Sequence, residues 1–389
     1  AEADRVWCGV ERCLFGNGKE LHFKKLMDFD TIGGKSNKNG ARFDLDAMYV
    51  NWLGLSLKCY LPKSENSLSY VWESLKGKIS YCNIKRLMFS SGWRYYAEIV
   101  VSGAAPTRVS IGTSTMGIDP GVSTIAGVSE DACVLEELAP NAIQYEKKIQ
   151  KISQSMDRSR RISNPNKYNE DGTINRSNRD PWKYSKNYVK MCRLLKSLYR
   201  KKHAYIVDSH RKLCNKLITI ARYFPVEKMH FQALQKRAKE TKRQEKKTEV
   251  KQKDGTVKVI QKYKRKKRFG RSINRRAPAR FLLELKRKAE AVGGVYAEVD
   301  TKEFKASQYN HVTDTYEKIP LSQREKEIGN RKVQRDLYSA FLIRNADLDF
   351  KHPDREKCEY EFEHFANLQD QLILKMKESG LSMRQCFGF

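Results

Sequence analysis

Two aspartates, far apart in the chain, have neighbours that could make them a catalytic pair. The run Thr115-Met116-Gly117-Ile118-Asp119-Pro120-Gly121-Val122-Ser123-Thr124-Ile125-Ala126-Gly127-Val128 reads as a buried strand ending on a carboxylate, a glycine turn and a second apolar strand. Gly121 suits a turn that needs positive φ or close backbone approach, and Pro120 presets the entry to it. Asp119 is then left at a strand end, where a divalent cation or a phosphate fits. The plainer reading is a β-hairpin whose aspartate caps its own turn. The second aspartate, Asp336, lies near the start of a helix predicted over Val333–Ile343. Leu337, Ala340 and Phe341 pack one side of it and leave Asp336 aimed at the end of the sheet. Carboxylates gathered from distant elements can hold two metal ions for phosphodiester hydrolysis, and oxygen ligands suit Mg²⁺ or Mn²⁺.

The elements that must position these acids belong to a strongly basic chain of 389 residues, with 76 Lys+Arg against 46 Asp+Glu and a net charge of +30. That length supports two or three domains. Charge of this size is tolerated when a polyanion neutralises it, which makes nucleic acid the leading partner class. No stretch approaches the ~20 apolar residues of a membrane-spanning helix, and no signal peptide opens the chain, so no membrane partner is expected. The nine cysteines are scattered and never spaced as C-x-x-C. This favours a reducing compartment and argues against a disulfide framework or a zinc site.

Residues 1–112 read as mainly β, with alternating and aromatic-rich segments such as Trp93–Val101 punctuated by Gly-Asn turns. They predict a β-barrel-like module. The chain begins at Ala1 on what reads as a structural element, which predicts a further portion upstream. Residues 113–350 form a second predicted domain. Its strands at Asp119, Ile125–Ser129 and Cys133–Leu135 make a meander. Helices follow over Ala142–Ile162 and Trp182–Tyr223, joined by a polar connection, Asn164–Arg179, expected to be mobile. A short strand is predicted at Val226–Leu234. Next comes a basic insertion, 235–275, in which Lys236–Arg271 holds 17 Lys/Arg against 4 Asp/Glu. A hairpin centred on Asp254-Gly255 is predicted there, and Lys236, Arg237, Lys264, Arg265, Lys266, Lys267 and Arg268 are candidate nucleic-acid contacts. A disordered basic loop is the alternative. A helix from Pro278 to Val292, a strand over Val295–Val299 ending at Asp300, and the Asp336 helix complete the domain. Residues 351–389 form a C-terminal helical segment around Tyr360–Glu378.

This order of elements is that of an RNase H-like nuclease, and the motifs carry a more specific likeness. Met116-Gly117-Ile118-Asp119-Pro120-Gly121 is similar to the first RuvC motif of TnpB, the RNA-guided nuclease family related to compact type V CRISPR effectors. Gln334-Arg335-Asp336-Leu337-Tyr338-Ser339-Ala340 resembles that family's third RuvC motif. Phe304–His311 and Leu234–Lys239 look like one branch of it. The resemblance implies an α/β, RNase H-like (RuvC) mixed sheet with helical insertions, preceded by a β-barrel-like oligonucleotide-binding (wedge) module. It implies a Mg²⁺-dependent RNA-guided DNA endonuclease, with a guide RNA and target DNA as partners, in the cytoplasm of a prokaryote and associated with the nucleoid. The family's recognition lobe is expected upstream of Ala1.

Two departures qualify this expectation. The family's second motif ends a strand on glutamate, whereas the segment matched to it, Met229-His230-Phe231-Gln232-Ala233-Leu234, carries Gln232. A relocated acid is therefore needed. Glu284, in the second turn of the helix after Pro278, is the first candidate, which makes Asp119, Glu284 and Asp336 the expected metal-binding and catalytic set. The alternative for Glu284 is a surface acid paired with Lys288. Asp300 is the second candidate and Glu227, expected at the wrong end of its strand, the third. If no acid replaces Gln232, the chain would be a nuclease-inactive RNA-guided DNA-binding protein such as a transcriptional repressor. The second departure is the absence of cysteine from the insertion 301–332, so no zinc is expected.

Overall fold

The computed structural model describes residues 2–16, 18, 20–23, 29–170, 172–235, 243–251, 257–263, 269–320 and 323–381. The chain divides into two compact units, Ala1–Arg108 with Gln144–His203, and Val109–Ile143 with Ala204–Phe389.

The first unit begins with α1 (Glu2–Leu14), β1 (Thr31–Gly33), β2 (Arg42–Asp44), β3 (Tyr49–Trp52) and β4 (Leu55–Lys58). It continues through α2 (Glu65–Leu75), β5 (Ile79–Phe89) and β6 (Gly92–Val101). Two three-stranded sheets form, β1-β5-β6 and β2-β3-β4, around a core that includes Phe43, Val50, Leu75 and Cys82. The two helices were not expected from the sequence. The start of α2 is set by Ser64, whose side chain accepts from the Ser67 amide, with Glu65 in the first turn.

Most of α3 (Ala142–Ser163) and the first half of α4 (Lys186–Ile220) also belong to this unit. Their connection, expected to be mobile, carries a dense internal hydrogen-bond network. The buried Asn164 side chain donates to the carbonyls of Arg160 (2.9 Å) and Lys183 (2.8 Å) and accepts from the Lys183 amide (2.7 Å). Lys167, also buried, donates to the Asn178 carbonyl at 2.8 Å with its ammonium over the Trp182 ring.

The second unit has β7 (Ser114–Thr115), β8 (Gly117–Pro120), β9 (Thr124–Val128) and β10 (Cys133–Glu137) before the helical pair. After α4 come β11 (Ala221–Glu227), α5 (Phe231–Gln235), the hairpin β12 (Arg243–Lys251) and β13 (Val257–Tyr263), then α6 (Gly270–Arg276) and α7 (Pro278–Ala291). They are followed by β14 (Val295–Val299), α8 (Thr301–Phe304), β15 (Tyr309–Asn310), β16 (Thr315–Tyr316), β17 (Glu325–Ile328) and β18 (Arg331–Gln334). The last elements are α9 (Arg335–Arg344) and α10 (Arg355–Glu378). The main sheet has six strands in the order β10-β9-β8-β11-β14, with β7 beside β11. It is mixed: β8 is antiparallel to β9, whereas β11 is parallel to both β8 and β14.

Alternation along the strands sends side chains to two cores. Ala126, Val128 and Leu135 join Leu337, Phe341, Phe362 and Phe365 of α9 and α10. Ile118, Ile125 and Val134 join Leu213, Leu217, Phe281 and Leu285 of α4 and α7. The C-terminal helix is thus part of this second unit, not the separate segment expected at 351–389. It also starts earlier than expected, where Asp354 accepts from the Lys357 amide. The insertion 301–332 forms two hairpins, β15–β16 and β17–β18. His311 Nδ1 meets the Tyr338 hydroxyl at 2.8 Å, and the buried Lys326 ammonium donates to the Tyr309 carbonyl at 2.6 Å. Burial pushes the Lys326 pKa down to about 8 and that of His311 to about 4, so His311 is neutral at pH 7.

No helix among the described residues is long and apolar enough to cross a membrane.

Candidate active site

The parallel pairing of β8 and β11 builds the site. Val226 lies opposite Ile118, so the next residue of each strand, Glu227 and Asp119, falls at the same end of the sheet. The expectation that Glu227 sits at the wrong end of its strand is corrected by that register. The sequence reading had carried the preceding helix to Tyr223 and begun a strand at Val226. In the structure α4 stops at Ile220, β11 runs over Ala221–Glu227, and residues 231–235 form the short helix α5. Gln232 lies on α5 with its side chain exposed, beyond the strand rather than at its end.

Asp336 arrives from the opposite direction. Gln334 caps α9, its side chain accepting from the Leu337 amide at 2.7 Å, and this places Asp336 in the first turn. The helix can lie on β8 because residue 117 has no side chain. A Cβ at Gly117 would stand 2.2 Å from the Ala340 carbonyl oxygen and 2.3 Å from the Arg344 amide nitrogen, both backbone atoms that cannot give way. Gly121 is needed for close approach rather than for positive φ: its Cβ would be 3.0 Å from the Thr124 carbonyl oxygen.

The three acids feel one another. Burial pushes the half-buried Asp119 well above the usual carboxylate range, and the nearby charges of Glu227 and Asp336 push the same way, against Arg335. Its side chain hydrogen-bonds Glu227, which also favours the protonated form. Glu227 is raised as well, by burial and the Asp336 charge, against hydrogen bonds from Asp119 and Thr301 that pull it down. Two carboxyls in contact, one carrying the proton, are the state expected when like charges share a site without a cation.

Arginines neutralise Asp336. One oxygen accepts from Arg335 Nη2 at 3.1 Å and the other from Arg324 Nη1 at 3.1 Å. Arg335 is buried and further held by the Gln323 carbonyl at 3.1 Å, whereas Arg324 is 38% exposed. Among the described residues no three or more His, Cys, Asp or Glu side chains form a ready cage for a metal ion. The donor set nevertheless fits a hard divalent cation: three carboxylates and no thiolate or imidazole.

Glu284 is not part of this group. It accepts from Arg211 at 3.0 Å and Arg287 at 2.9 Å. Those hydrogen bonds outweigh burial, which acts to raise it, and hold its pKa below the usual value. The expected partner, Lys288, instead reaches Asn215. Asp300 caps α8, accepting from the Lys302 amide at 2.7 Å, and is exposed. Of the expected acids, the structure brings Asp119 and Asp336 together with Glu227, and neither Glu284 nor Asp300. Lys236, Arg237, Lys264, Arg265, Lys266, Lys267 and Arg268 lie outside the described residues, as do Asp254 and Gly255. The strands on either side pair antiparallel, Lys251 opposite Val257.

No protein-family model matches the chain, and no curated protein sequence matches it. Among solved structures it is similar to a Cas12f1–sgRNA–target DNA complex, with a TM-score of 0.43 and 12% identity over 73% of this chain and 48% of that one. It is also similar to a CRISPR-Cas12f ternary complex, with a TM-score of 0.34 and 14% identity over 75% of this chain and 49% of that one. The chain spans about half the length of the solved chains it matches.

Proposed function

We propose that the chain carries the nuclease part of an RNA-guided DNA endonuclease, with Asp119, Glu227 and Asp336 as its acidic set. The observation that carries this reading is the β8–β11 register, which seats Glu227 beside Asp119 where the third motif's Asp336 also arrives. The order β10-β9-β8-β11-β14, with only β9 reversed in the central meander, is that of an RNase H-like sheet and supports the fold implied by the RuvC motifs. Glu227 ends the strand before α5, five residues before Gln232, which supports it over Glu284 as the second-motif acid. Guide RNA and target DNA as partners rest on the motif resemblance and on the net charge of +30.

The reaction is hydrolysis of a phosphodiester. A bond forms between a water oxygen and phosphorus, the ester P–O bond breaks, and the departing oxygen takes up a proton. Divalent cations held by Asp119, Glu227 and Asp336 would supply a water of lowered pKa and charge to stabilise the leaving oxygen. The chain's own part is to hold the oxygens of Asp119 and Glu227 at one end of the sheet. Arg324 and Arg335 place two guanidinium charges at its edge, suited to a phosphate.

The test is cleavage of a target plasmid by the purified protein with its co-purified, sequenced RNA, in Mg²⁺ and in EDTA, beside Asp119→Asn and Glu227→Gln. Cutting that is lost in EDTA and in both variants supports the reading. Guide-dependent binding with no cutting by the unaltered protein would replace it with a binding-only function.

A further inference from the structure

Each oxygen of Asp336 accepts a hydrogen bond from a guanidinium group at 3.1 Å, so two positive charges stand where a cation would have to approach. The two arginines are held very differently. Arg335 is buried, and its side chain also donates to the Gln323 carbonyl. Arg324 stands just before β17, is 38% exposed, and its only side-chain partner among the described residues is Asp336. Its backbone is fixed by a hydrogen bond from the Arg335 amide to the Arg324 carbonyl (2.8 Å), so the side chain can swing while its base stays in place.

We infer that Arg324 is a substrate-sensitive latch on the metal site. Resting on the proposed function, it holds Asp336 out of the metal's coordination shell in the free protein and releases it when a nucleic-acid phosphate draws the guanidinium away. The phosphate and the cation then help each other bind: each removes a competitor of the other, and the coupling is reciprocal. A free guanidinium prefers a bidentate phosphate to a single carboxylate oxygen, which gives the exchange its direction.

The test measures Mn²⁺ binding, by the loss of the free-ion electron paramagnetic resonance signal, to the RNA-loaded protein and to Arg324→Gln. Arg331→Gln is the charge control, since Arg331, on β18, pairs with Glu363 and Asp370 of α10. Without DNA, Arg324→Gln binds Mn²⁺ about three- to tenfold more tightly than the unaltered protein, the range for removing one half-exposed ion pair, and Arg331→Gln does not. A phosphorothioate target strand that resists cutting tightens Mn²⁺ binding by a similar factor in the unaltered protein and by much less in Arg324→Gln. Equal Mn²⁺ affinity for the unaltered protein and Arg324→Gln, with cleavage intact, overturns the latch and leaves the proposed function standing. No Mn²⁺ bound by any of the three proteins, with or without DNA, overturns both.

Discussion

Glu227 and Glu284 are both glutamates with largely covered side chains in the second unit, and their surroundings push them in opposite directions. Glu227 ends a central strand, where burial and the Asp336 charge raise its pKa against hydrogen bonds with Asp119 and Thr301. Glu284 lies on a helix between Arg211 and Arg287, which keep it ionised below that range. Glu284 is supplied with two cations of its own, whereas Glu227 answers to burial and a neighbouring carboxylate. The sign of the shift therefore separates the two roles better than burial, which acts to raise both.

The largest effect that would break this comparison is on cleavage. Glu227→Gln is expected to lower the rate by about 10³-fold or more, with Glu284→Gln within about threefold of the unaltered protein. A rate loss in Glu284→Gln and not in Glu227→Gln would reverse the assignment. Next in size is Gly117→Ala, whose new methyl group would meet α9 backbone. It should cost about 3 kcal/mol or more, seen as an early midpoint in a denaturant titration.

Smaller effects separate the two acids without any substrate. In EDTA, Asp119→Asn should raise the melting temperature by roughly 2–4 °C, about 1 kcal/mol, because it removes a raised carboxyl from a crowded site. The pH dependence has a definite sign. With folded pKa values above the unfolded ones, Asp119 and Glu227 bind protons more tightly in the folded state, so the metal-free protein loses stability as pH rises through that window. Glu284 behaves oppositely: its contribution is present above the unfolded pKa and is lost as pH falls through the lowered folded value. Its size stays below about 1 kcal/mol, since both arginine partners are more than half exposed. Melting curves of Asp119→Asn and Glu284→Gln at pH 4 to 8, each compared with the unaltered protein, read both slopes. Slopes of the same sign would sink the comparison.

Much of the sheet was legible because its signals are local. The Asp119 strand, the β9 and β10 strands, the helix from Pro278, the strand Val295–Val299 and the Asp336 helix all carry their own periodicity or caps, and each appears within a few residues of its expected place. The second motif was not legible, for two reasons. Helix passes into strand between Ile220 and Ala221 with no glycine or proline to mark the change. Pro225 then looks like an interruption, although it lies inside β11. That shifted the strand onto Val226–Leu234 and put Gln232 where an acid was expected. The end of the sheet on which Glu227 falls depends on the pairing of Val226 with Ile118, a contact that no local pattern encodes. The helices α1 and α2 carried local signals that the β-rich surroundings masked: Val6, Val10, Cys13 and Leu14 recur at helical spacing in α1, and Ser64 caps α2.

The contact of α9 with Gly117 also has a consequence for the order in which the protein is made. Strands β7 to β11 have all left the ribosome long before Arg335 is translated. Until then the sheet face that will meet Leu337, Phe341 and the aromatic residues of α10 has no cover. A nascent chain at that stage presents apolar surface to solvent for many seconds at ordinary elongation rates and lacks Asp336 altogether. Synthesis of α9 and α10 thus both closes the core and supplies Asp336, so a chain terminated before them would be a substrate for chaperones and proteases.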